Sequence, residues 1–398
     1  MGKGAYVSGI YAAGGMSQAV DGAGSGANAV EVSNVNNEEY AVHVIYENDE
    51  VYDNVNKNKY HSLTIGSYNE DGAVSSTVNG DVLVEMRSGY FDSIIIDGGD
   101  EDWQRGLSLN GNSEIIVTGG RVRDIIGDAR HWNNKGYTDS VTFKGCKQCE
   151  VGQMKVMGNI RMIEAAELLV DYSKFYEQSD KVPFVNCDNL SITEGSRLTT
   201  RDAETQLKEN VDMQNGTWNA KGKLWVYEKM TSADSHILFE KDYSIGHNHV
   251  YDSAITDFAC FDSQNDTFVS LNPAKGTYGN FVGNVTLNSS DMTFMCPTDV
   301  WGNWKGGNSV IKVPAVTKNY DGTENGADIA LNIQNVASEA ATITMVDPDN
   351  YQELKEPQLG DNYVVGLKAE GDNPIESTFI LGNESALGKG YYLKRVND

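Results

Sequence analysis

The segment SGYFDSII (88–95) recurs as GGRVRDII (119–126), 31 residues further along the chain. Both copies have glycine at the second position and end in an Ile-Ile pair. The residues GGDEDWQRG (98–106) between them have the glycine and acid content of a solvated loop, which explains the length of the step. Segments that repeat at intervals of about 20–50 residues are typical of solenoids, in which each coil covers the apolar face of its neighbour.

A second set of repeats has shorter steps. FKGCKQCEV (143–151), IEAAELLV (163–170) and FVNCDNLSI (184–192) align without gaps at offsets of 19 and 22 residues. FVGNVTL (281–287) repeats the spacing of FVNCDNL (184–190). The alignment predicts stacked coils of roughly 20 to 30 residues. Small or apolar residues form its columns: Cys146, Ala165 and Cys187; Cys149, Leu168 and Leu190; Val151, Val170 and Ile192.

Short runs rich in β-branched and aromatic residues, bounded by Gly, Asn or Asp, predict strands. The segment EAAELLVDYSKFYEQ (164–178) can also be sorted on a helical period, but its alignment with the repeats favours a strand. The predicted strands are VLVEM (82–86), EIIVTG (114–119), VTF (141–143), KLWVYE (223–228), HILFEKDYSI (236–245), DTFVSL (266–271) and ATITMV (341–346).

These features predict an all-β chain that forms a parallel β-helix solenoid over residues 1–305. From residue 306, apolar and polar residues alternate more regularly. Residues 306–398 are predicted to form either the terminal coils or a small capping β region, because a solenoid must close its open end.

The charge balance excludes some partners. The 398-residue chain has 31 Lys and Arg residues against 57 Asp and Glu residues, a net charge of −26. Nucleic-acid binding needs clustered cations that release counterions, so no nucleic-acid partner is expected. The acidic excess also opposes an anionic membrane surface. No window approaches the ~18 consecutive apolar residues of a membrane helix, so direct membrane insertion is not expected.

Two segments, GDVLVEMRSGYFDSIII (80–96) and NSEIIVTGGRVRDIIG (112–127), have the order valine-rich strand, glycine turn, second strand. This order resembles the right-handed, pectin-lyase-like β-helix repeats of large surface proteins of Gram-positive, often gut-dwelling, bacteria. IYAAGG (10–15) is similar to the tyrosine and glycine turn of those repeats. The resemblance covers about residues 5–290. It implies a right-handed helix and an extracellular protein, secreted or attached to the bacterial cell surface, commonly an adhesin.

Neither an apolar leader after Met1 nor an LPxTG anchor occurs in the sequence. The chain is therefore expected to be either cytosolic or a mature fragment of a larger protein, and an anchor would lie outside this fragment.

Two pairs of potential metal ligands stand out. Cys146 and Cys149 have the spacing of half a zinc knuckle, but the other three cysteines supply no second pair, and the repeat columns predict buried, apolar-like thiols. His247 and His249 in GHNH would share one face of a strand, but no third ligand is identifiable. No cofactor is therefore expected.

Structural Ca²⁺ is an open alternative at two acidic groups. Neither group matches a known calcium-loop spacing, so solvated acids are the favoured interpretation. The first group is Asp97, Asp100, Glu101 and Asp102, and the second is Asp347 and Asp349.

A β-helix can also support a polysaccharide hydrolase, which needs two carboxylates that converge on one sugar bond. Hydrolases with this fold carry Asn-x-Asp, Asp-Asp, Gly-His-Gly and Arg-x-Lys elements. Asn186-Cys187-Asp188 and Gly246-His247-Asn248 are similar to the first and third, while the sequence has neither of the others. The incomplete set disfavours a hydrolase.

A polysaccharide lyase is the other enzymatic alternative. It needs an Arg or Lys base beside an acidic Ca²⁺ site. Solvated charges are again the favoured interpretation of the nearest candidates. These are Arg121, Arg123 and Arg130 beside Asp124 and Asp128.

Aromatic residues in glycine-rich or acidic segments are the predicted binding residues, because an indole face suits sugar stacking or a protein hot spot. If these segments fold back, the same rings are buried instead. The candidates are Trp103 in the acidic insertion, Trp132 and Tyr137 in RHWNNKGY (130–137), and Trp301 and Trp304 in WGNW (301–304).

The sequence therefore predicts a non-catalytic bacterial cell-surface adhesin or binding module. Its expected partner is a host glycan, mucin or glycoprotein, with immunoglobulin as one candidate, bound through the solenoid face and loops. The alternative is a β-helix polysaccharide lyase or glycoside hydrolase that acts on an acidic polysaccharide.

Overall fold

The structure, a computed structural model, forms two compact units, Met1–Thr205 and Gln206–Asp398. Among the described residues there are three short 3-10 helices and no α-helix. The described residues are 9–12, 16–17, 31–33, 39–47, 62–65, 67–69, 76–97, 105–128, 136–175, 183–252, 254–271, 278–317, 330–347, 350, 352–354, 363–365, 367–369 and 379–382.

The first unit is built from short strands, and its described residues include one 3-10 helix, Tyr172–Lys174. Its strands are β1 (Gly9–Ala12), β2 (Met16–Ser17), β3 (Glu31–Ser33), β4 (Tyr40–Tyr46), β5 (Ser62–Ile65), β6 (Ser67–Asn69), β7 (Ser76–Asn79), β8 (Asp81–Met86), β9 (Tyr90–Asp97), β10 (Arg105–Asn110), β11 (Ser113–Val117), β12 (Arg121–Asp128), β13 (Asp139–Lys144), β14 (Cys149–Val156), β15 (Gly158–Ile163), β16 (Glu167–Val170), β17 (Phe184–Cys187), β18 (Asn189–Thr193) and β19 (Arg197–Thr200). Strand β20 (Glu204–Leu207) contains the boundary between the units.

Two long parallel ladders define the first unit as a parallel β-helix. One ladder runs β1–β5–β9–β12–β14–β16–β19. The other runs β4–β8–β11–β13–β15–β18. A smaller group pairs β3, β7 and β10 in parallel, and β6 joins it antiparallel to β10.

The second unit has the same kind of strands, and the part of it that the structure describes includes two 3-10 helices, His247–His249 and Ile255–Asp257. Its strands are β21 (Val211–Gln214), β22 (Thr217–Ala220), β23 (Leu224–Val226), β24 (Met230–Ala233), β25 (His236–Phe239), β26 (Tyr243–Ile245), β27 (Ala259–Gln264), β28 (Phe268–Leu271), β29 (Gly279–Phe281), β30 (Asn284–Asn288), β31 (Asp291–Phe294), β32 (Thr298–Val300), β33 (Trp304–Lys305), β34 (Val310–Thr317), β35 (Leu331–Ile333), β36 (Ala337–Ser338), β37 (Ala341–Val346), β38 (Tyr363–Val365), β39 (Leu367–Ala369) and β40 (Phe379–Leu381).

Three parallel ladders form the faces of the second unit. Face 1 runs β21–β24–β27–β30–β33–β36. Face 2 runs β22–β25–β28–β31–β34–β37–β40. Face 3 runs β23–β26–β29–β32–β35–β39. The strands described within residues 306–398 thus continue the coils, and β38 adds an antiparallel partner to the end of β34.

The predicted all-β parallel β-helix is confirmed, and two of the three repeat steps are confirmed with it. Ile94 pairs with Ile125, as the recurrence of SGYFDSII in GGRVRDII predicts. Cys149 pairs with Leu168, as the first step of the second repeat set predicts. Each predicted strand overlaps an observed one, although HILFEKDYSI (236–245) is two strands, β25 and β26.

The remaining step, from Leu168 to Leu190, is wrong. Leu168 pairs with Leu198, and Leu190 lies in the other ladder beside Ile160. The chain between β16 and β17 lengthens this coil and includes the 3-10 helix at Tyr172–Lys174. A gap-free alignment cannot represent such an insertion.

Polar side chains at the corners join successive coils. Asn284 Oδ1 accepts the backbone N–H of Asn303 at 2.7 Å, and Asn303 Oδ1 accepts that of Val336 at 3.3 Å. Buried serines form similar links: Ser309 Oγ accepts the backbone N–H of Ser290 at 3.0 Å, and Ser263 Oγ donates to Ser290 Oγ at 2.6 Å. These bonds satisfy polar groups where the chain turns between strands, because buried backbone groups need partners.

One core contact reaches across a complete coil. Tyr243, Gly279 and Thr298 occupy successive rungs of face 3. The buried Tyr243 ring fills the space above Gly279, where an added Cβ would lie 2.0 Å from the ring carbon Cζ. The hydroxyl then meets Thr298 Oγ1 at 2.7 Å. Gly279 therefore makes room for a tyrosine that links the coils on either side of it.

Gly279→Ala should lower the free energy of unfolding by about 1–3 kcal/mol, because the new methyl group overpacks the core against the Tyr243 ring. Urea denaturation followed by circular dichroism measures the change. In a Tyr243→Val background the same substitution should cost clearly less, since the ring is gone. An equal cost in both backgrounds would contradict the contact.

Candidate ligand-binding site

The structure describes three of the five predicted binding residues. Tyr137 is partly exposed and precedes β13 in the first unit. Trp301 and Trp304 lie in the second unit. Trp103 and Trp132 lie outside the described residues.

Trp304 belongs to the core. It is completely buried, it opens β33 beside Val285, and its ring centroid lies 6.3 Å from that of Phe294. The expectation that this ring is available for binding is wrong, because its glycine-rich segment follows the coil closely. A Cβ at Gly302 would lie only 2.3 Å from the carbonyl carbon of Gly283 on the preceding coil.

Trp301 remains partly exposed and lies at the corner that follows face 3, called here the loop corner. The loop corner consists of Tyr227, Gly246, Val282 and Trp301 on successive coils. The backbone N–H groups of the last three donate to the final carbonyl of the preceding face 3 strand at 2.9, 2.7 and 2.9 Å. Adjacent strands are about 4.8 Å apart, so Trp301 lies roughly 10 Å along the helix axis from Gly246.

A long loop leaves the coil at this corner. Residues 246–258, called here the clamp loop, connect β26 to β27. Gly246 is left-handed, with φ of 80°, and a Cβ there would lie 2.3 Å from the carbonyl oxygen of Val282. Only glycine fits this turn without strain. The expected strand face shared by His247 and His249 is therefore wrong, because Gly246 ends β26 and the histidines form a 3-10 helix.

His249 fastens the base of the clamp loop. Its Nε2 lies 2.9 Å from Glu228 Oε2, and its Nδ1 lies 2.5 Å from Asp252 Oδ2. The imidazole also stacks on Phe258, with 3.6 Å between ring centroids. Asn248 Nδ2 donates to the other Glu228 oxygen at 2.8 Å. Glu228 lies on the preceding coil, so these contacts tie the loop to the solenoid.

The two ionisable groups at the centre of this clamp have shifted pKa values. Burial lowers the pKa of His249, but hydrogen bonds and charge from Glu228 and Asp252 raise it more, so the net shift is upward from 6.5. Burial raises the pKa of Glu228, but hydrogen bonds from Asn248 and His249 lower it more, so the net shift is downward from 4.5. The geometry therefore favours an ion pair of imidazolium and carboxylate.

The clamp loop presents the most exposed large hydrophobic side chain of the described residues. Tyr251 is 97% exposed and lies two residues after His249. No aromatic motif marks it in the sequence, since HNHVYD (247–252) reads only as a polar turn. Tyr251 on the clamp loop is thus a fully exposed aromatic ring, and Trp301 at the loop corner is a partly exposed one.

His247 has a structural role beside this loop. Its Nδ1 lies 3.1 Å from Ser244 Oγ, and its ring meets Tyr227 edge-on with centroids 5.3 Å apart. Ser244 is buried on face 3, so its hydroxyl is covered rather than presented to a substrate. The pair holds the start of the loop against the face.

The candidate lyase residues form a half-buried charge network in the first unit. Arg123 Nε donates to Asp124 at 2.8 Å, and its NH1 reaches Asp92 at 3.4 Å. Gln153 donates to the other Asp124 oxygen at 3.0 Å. Arg121 pairs with Glu150 and stands over the Phe175 ring at 5.3 Å. Arg130 and the side chain of Asp128 lie outside the described residues.

Each of these charged side chains is paired with another one. Such pairing is typical of a structural ion-pair network, whereas an open catalytic site leaves charged groups available to the substrate. The hydrolase-like segments belong to different units. Asn186-Cys187-Asp188 ends β17 in the first unit, and Gly246-His247-Asn248 belongs to the second.

Within the described ranges, no group of three or more His, Cys, Asp or Glu side chains is placed to hold a metal ion. Around His249 the two carboxylates meet different ring nitrogens, so the three groups do not converge on one point. Asp347 Oδ1 accepts the Asn350 N–H at 3.2 Å in a local turn. The other predicted calcium ligands lie outside the described side chains: Asp97, Asp100, Glu101, Asp102 and Asp349.

No known protein family, no curated protein and no solved structure matches this chain. None of the helices in the described residues is long and apolar enough to cross a bilayer. The function is therefore inferred from the geometry of the loop corner.

The clamp should make stability depend on pH. The raised pKa of His249 contributes stability that is complete below pH 6.5 and is lost as the pH rises through the folded-state value. The lowered pKa of Glu228 contributes above pH 4.5 and is lost as the pH falls through its folded-state value. The melting temperature of the wild-type protein should therefore be higher at pH 6 than at pH 8. This difference in melting temperature should be absent in His249→Gln.

The matched control is His236→Gln, because His236 stacks on Phe268 on face 2 of the same unit, away from the clamp loop. Thermal melts from about pH 5 to 8 compare the three proteins. Equal pH profiles for wild type and His249→Gln would show that the clamp does not stabilise the fold.

Proposed function

We propose that this protein is a non-catalytic bacterial cell-surface adhesin or binding module that contacts a host glycan, mucin or glycoprotein through the loop corner of its second unit. Immunoglobulin is one candidate among the glycoproteins. The observation that supports this is Tyr251, 97% exposed at the tip of a loop that is fastened by His249 and Glu228. Trp103, Trp132 and Tyr137 remain candidates for a further contact in the first unit.

An exposed aromatic ring on a loop that is tied to the solenoid is well suited to binding. Tyr and Trp supply a large contact area and lose little side-chain entropy, and a pre-organised loop avoids the cost of ordering a backbone. The rings of Tyr251 and Trp301 can stack on the apolar face of a sugar or anchor a protein contact. The interface is expected to be broad, with a polar rim, rather than a deep pocket.

The negative net charge of the protein favours some classes of ligand over others. At −26, the protein repels polyanions at low ionic strength and favours neutral or cationic partners. Neutral glycan chains are therefore better ligands than sulfated or uronate-rich chains. The same repulsion weighs against the lyase or hydrolase alternative, which requires an acidic polysaccharide as substrate.

The enzymatic alternative rests on one observation, the half-buried cluster of Arg123, Asp92 and Asp124. A lyase would use Arg123 or a neighbour as base against a uronate. In the described arrangement Arg123 donates to both carboxylates, so a substrate would have to displace one of them. The adhesin is the better-supported function.

An extracellular location, on the bacterial cell surface or in the secreted fraction, is part of this proposal. It is supported by the resemblance of residues 80–127 to the repeats of surface proteins. Immunogold labelling of the producing bacterium tests the location directly.

Tyr251→Ala should weaken binding to a neutral host glycan or mucin about tenfold, which corresponds to the loss of about 1.4 kcal/mol at an aromatic hot spot. Surface plasmon resonance against mucin, serum glycoproteins and immobilised neutral glycans measures the affinity. Trp301→Ala should weaken the same interaction.

Tyr278→Ala is the matched control for this experiment. Tyr278 is 63% exposed and precedes β29, so it lies at the other end of that strand from the loop corner. It should leave affinity unchanged. If Tyr251→Ala, Trp301→Ala and Tyr278→Ala all bind with the affinity of the wild type, the loop corner is not the binding site. Release of reducing sugar or unsaturated uronide from polysaccharide would overturn the non-catalytic proposal.

A further inference from the structure

The corner between β13 and β14 holds two thiols that point inward together. Cys146 and Cys149 are buried, while the intervening Lys147 and Gln148 are exposed. Gly145 and Gln148 have positive φ angles of 58° and 60°, which bend the chain sharply on both sides of Cys146. This turn brings the first and last residues of Cys-x-x-Cys onto the same side.

The two buried thiols are neighbours in this turn, three residues apart, and Cys146 Sγ also lies 3.9 Å from the Glu167 carbonyl. A hydrogen bond from the Cys149 thiol lowers the pKa of Cys146, and the same contact together with burial raises the pKa of Cys149. Cys146 is therefore the better thiolate of the two, and the thiolate is the species that attacks a disulfide.

The other three cysteines are also buried and belong to other parts of the chain: Cys187 to β17, Cys260 to β27 and Cys296 to the segment between β31 and β32. Each has its own polar neighbour. Cys187 Sγ donates to the Asn189 carbonyl at 3.3 Å, Cys260 Sγ donates to the Asn284 carbonyl at 3.4 Å, and Cys296 Sγ lies 3.7 Å from Thr298 Oγ1. Of the five cysteines, Cys146 and Cys149 are the two that share one corner of the solenoid.

We propose that Cys146 and Cys149 are a reversible redox site, at which the two thiols are oxidised to a disulfide that closes the corner between β13 and β14. The oxidant is a small-molecule disulfide such as oxidised glutathione. The Cys146 thiolate attacks one of its sulfurs and releases one thiol. The Cys149 thiolate then attacks Cys146 Sγ in the mixed disulfide and releases the second thiol.

Atoms and electrons are conserved in this thiol–disulfide exchange. The protein loses two S–H hydrogens as protons and electrons, one S–S bond forms within the corner, and the external disulfide is reduced to two thiols. Because both protein sulfurs are buried, the exchange requires the corner to open transiently. It should therefore be slow on the folded protein and faster when denaturant raises the frequency of opening.

The corner is firmly attached to the following coil. Gly145 N–H donates to the Ile163 carbonyl at 3.1 Å, and Lys147 Nζ donates to the Ala165 carbonyl at 2.6 Å. The disulfide would close only the short Cys-x-x-Cys ring, so its direct effect on the entropy of the unfolded chain is small. Its main expected effect is to slow local opening of the corner, which hydrogen exchange of the Gly145 and Cys149 amides would report.

Thiol titration under denaturing conditions tests the site. Full-length wild-type protein is oxidised with oxidised glutathione, in buffer and at a urea concentration below the unfolding transition, and is then alkylated. The free-thiol count should fall from five to three, and dithiothreitol should restore five. Peptide mass mapping should place the disulfide between Cys146 and Cys149.

Three variants separate this pair from the others. Cys146→Ser and Cys149→Ala should each keep four free thiols after the same treatment, while the control Cys187→Ser should fall from four to two. Because the mapping uses wild-type protein, poor folding of a variant does not affect it. Five free thiols after both wild-type treatments, or a disulfide that involves Cys187, Cys260 or Cys296, would overturn the proposal.

Discussion

In a parallel β-helix each coil donates and accepts its backbone hydrogen bonds from the coils before and after it, so a residue must match its counterpart one coil away. The matching is visible wherever like stacks on like, as for Ile94 on Ile125 and Val151 on Val170. A polar group at a corner is satisfied only if a neighbouring coil supplies a partner, as Asn284 does for Asn303. This requirement fixes the inward positions and leaves outward positions and loops free to vary.

The candidate site follows from that division. A strand cannot accept an insertion without losing register, whereas a corner can, and the clamp loop leaves the coil at Gly246. A loop of this length would ordinarily be mobile. Here His249 bonds Glu228 on the preceding coil, and Asn284 Nδ2 donates to the Thr256 carbonyl at 2.6 Å near the end of the loop. Both ends of the loop are thus held by the solenoid, and the tyrosine at its tip is displayed from a rigid base.

Much of the fold could be predicted from the sequence because register leaves a periodic record. The recurring glycine and Ile-Ile pair, and the step from Cys149 to Leu168, report hydrogen-bonded neighbours. The predicted step from Leu168 to Leu190 was wrong because Leu190 and Leu198 are both apolar strand residues. Only the inserted chain between β16 and β17 decides which of the two stacks on Leu168. Hydrophobic pattern alone does not distinguish two faces of the same solenoid.

The site was less predictable, for a different physical reason. Trp301 and Trp304 belong to one short glycine-rich segment, yet one is partly exposed at a corner and the other fills the core. Composition is the same for both, and only strand register separates them. Tyr251 carries no sequence signal, since its exposure results from the turn at Gly246 and the His249 clamp.

The reach of Tyr243 past Gly279 to Thr298 has a consequence for how this protein can evolve. Solenoids ordinarily gain or lose whole repeats by duplication or deletion, because each coil interacts mainly with its neighbours. Between β26 and β32 that freedom is lost. Deleting the coil that contains Gly279 would drive the tyrosine into Thr298, and duplicating it would leave the hydroxyl one coil short of its partner. The three coils that contain Tyr243, Gly279 and Thr298 can therefore be neither reduced nor increased in number without loss of this contact.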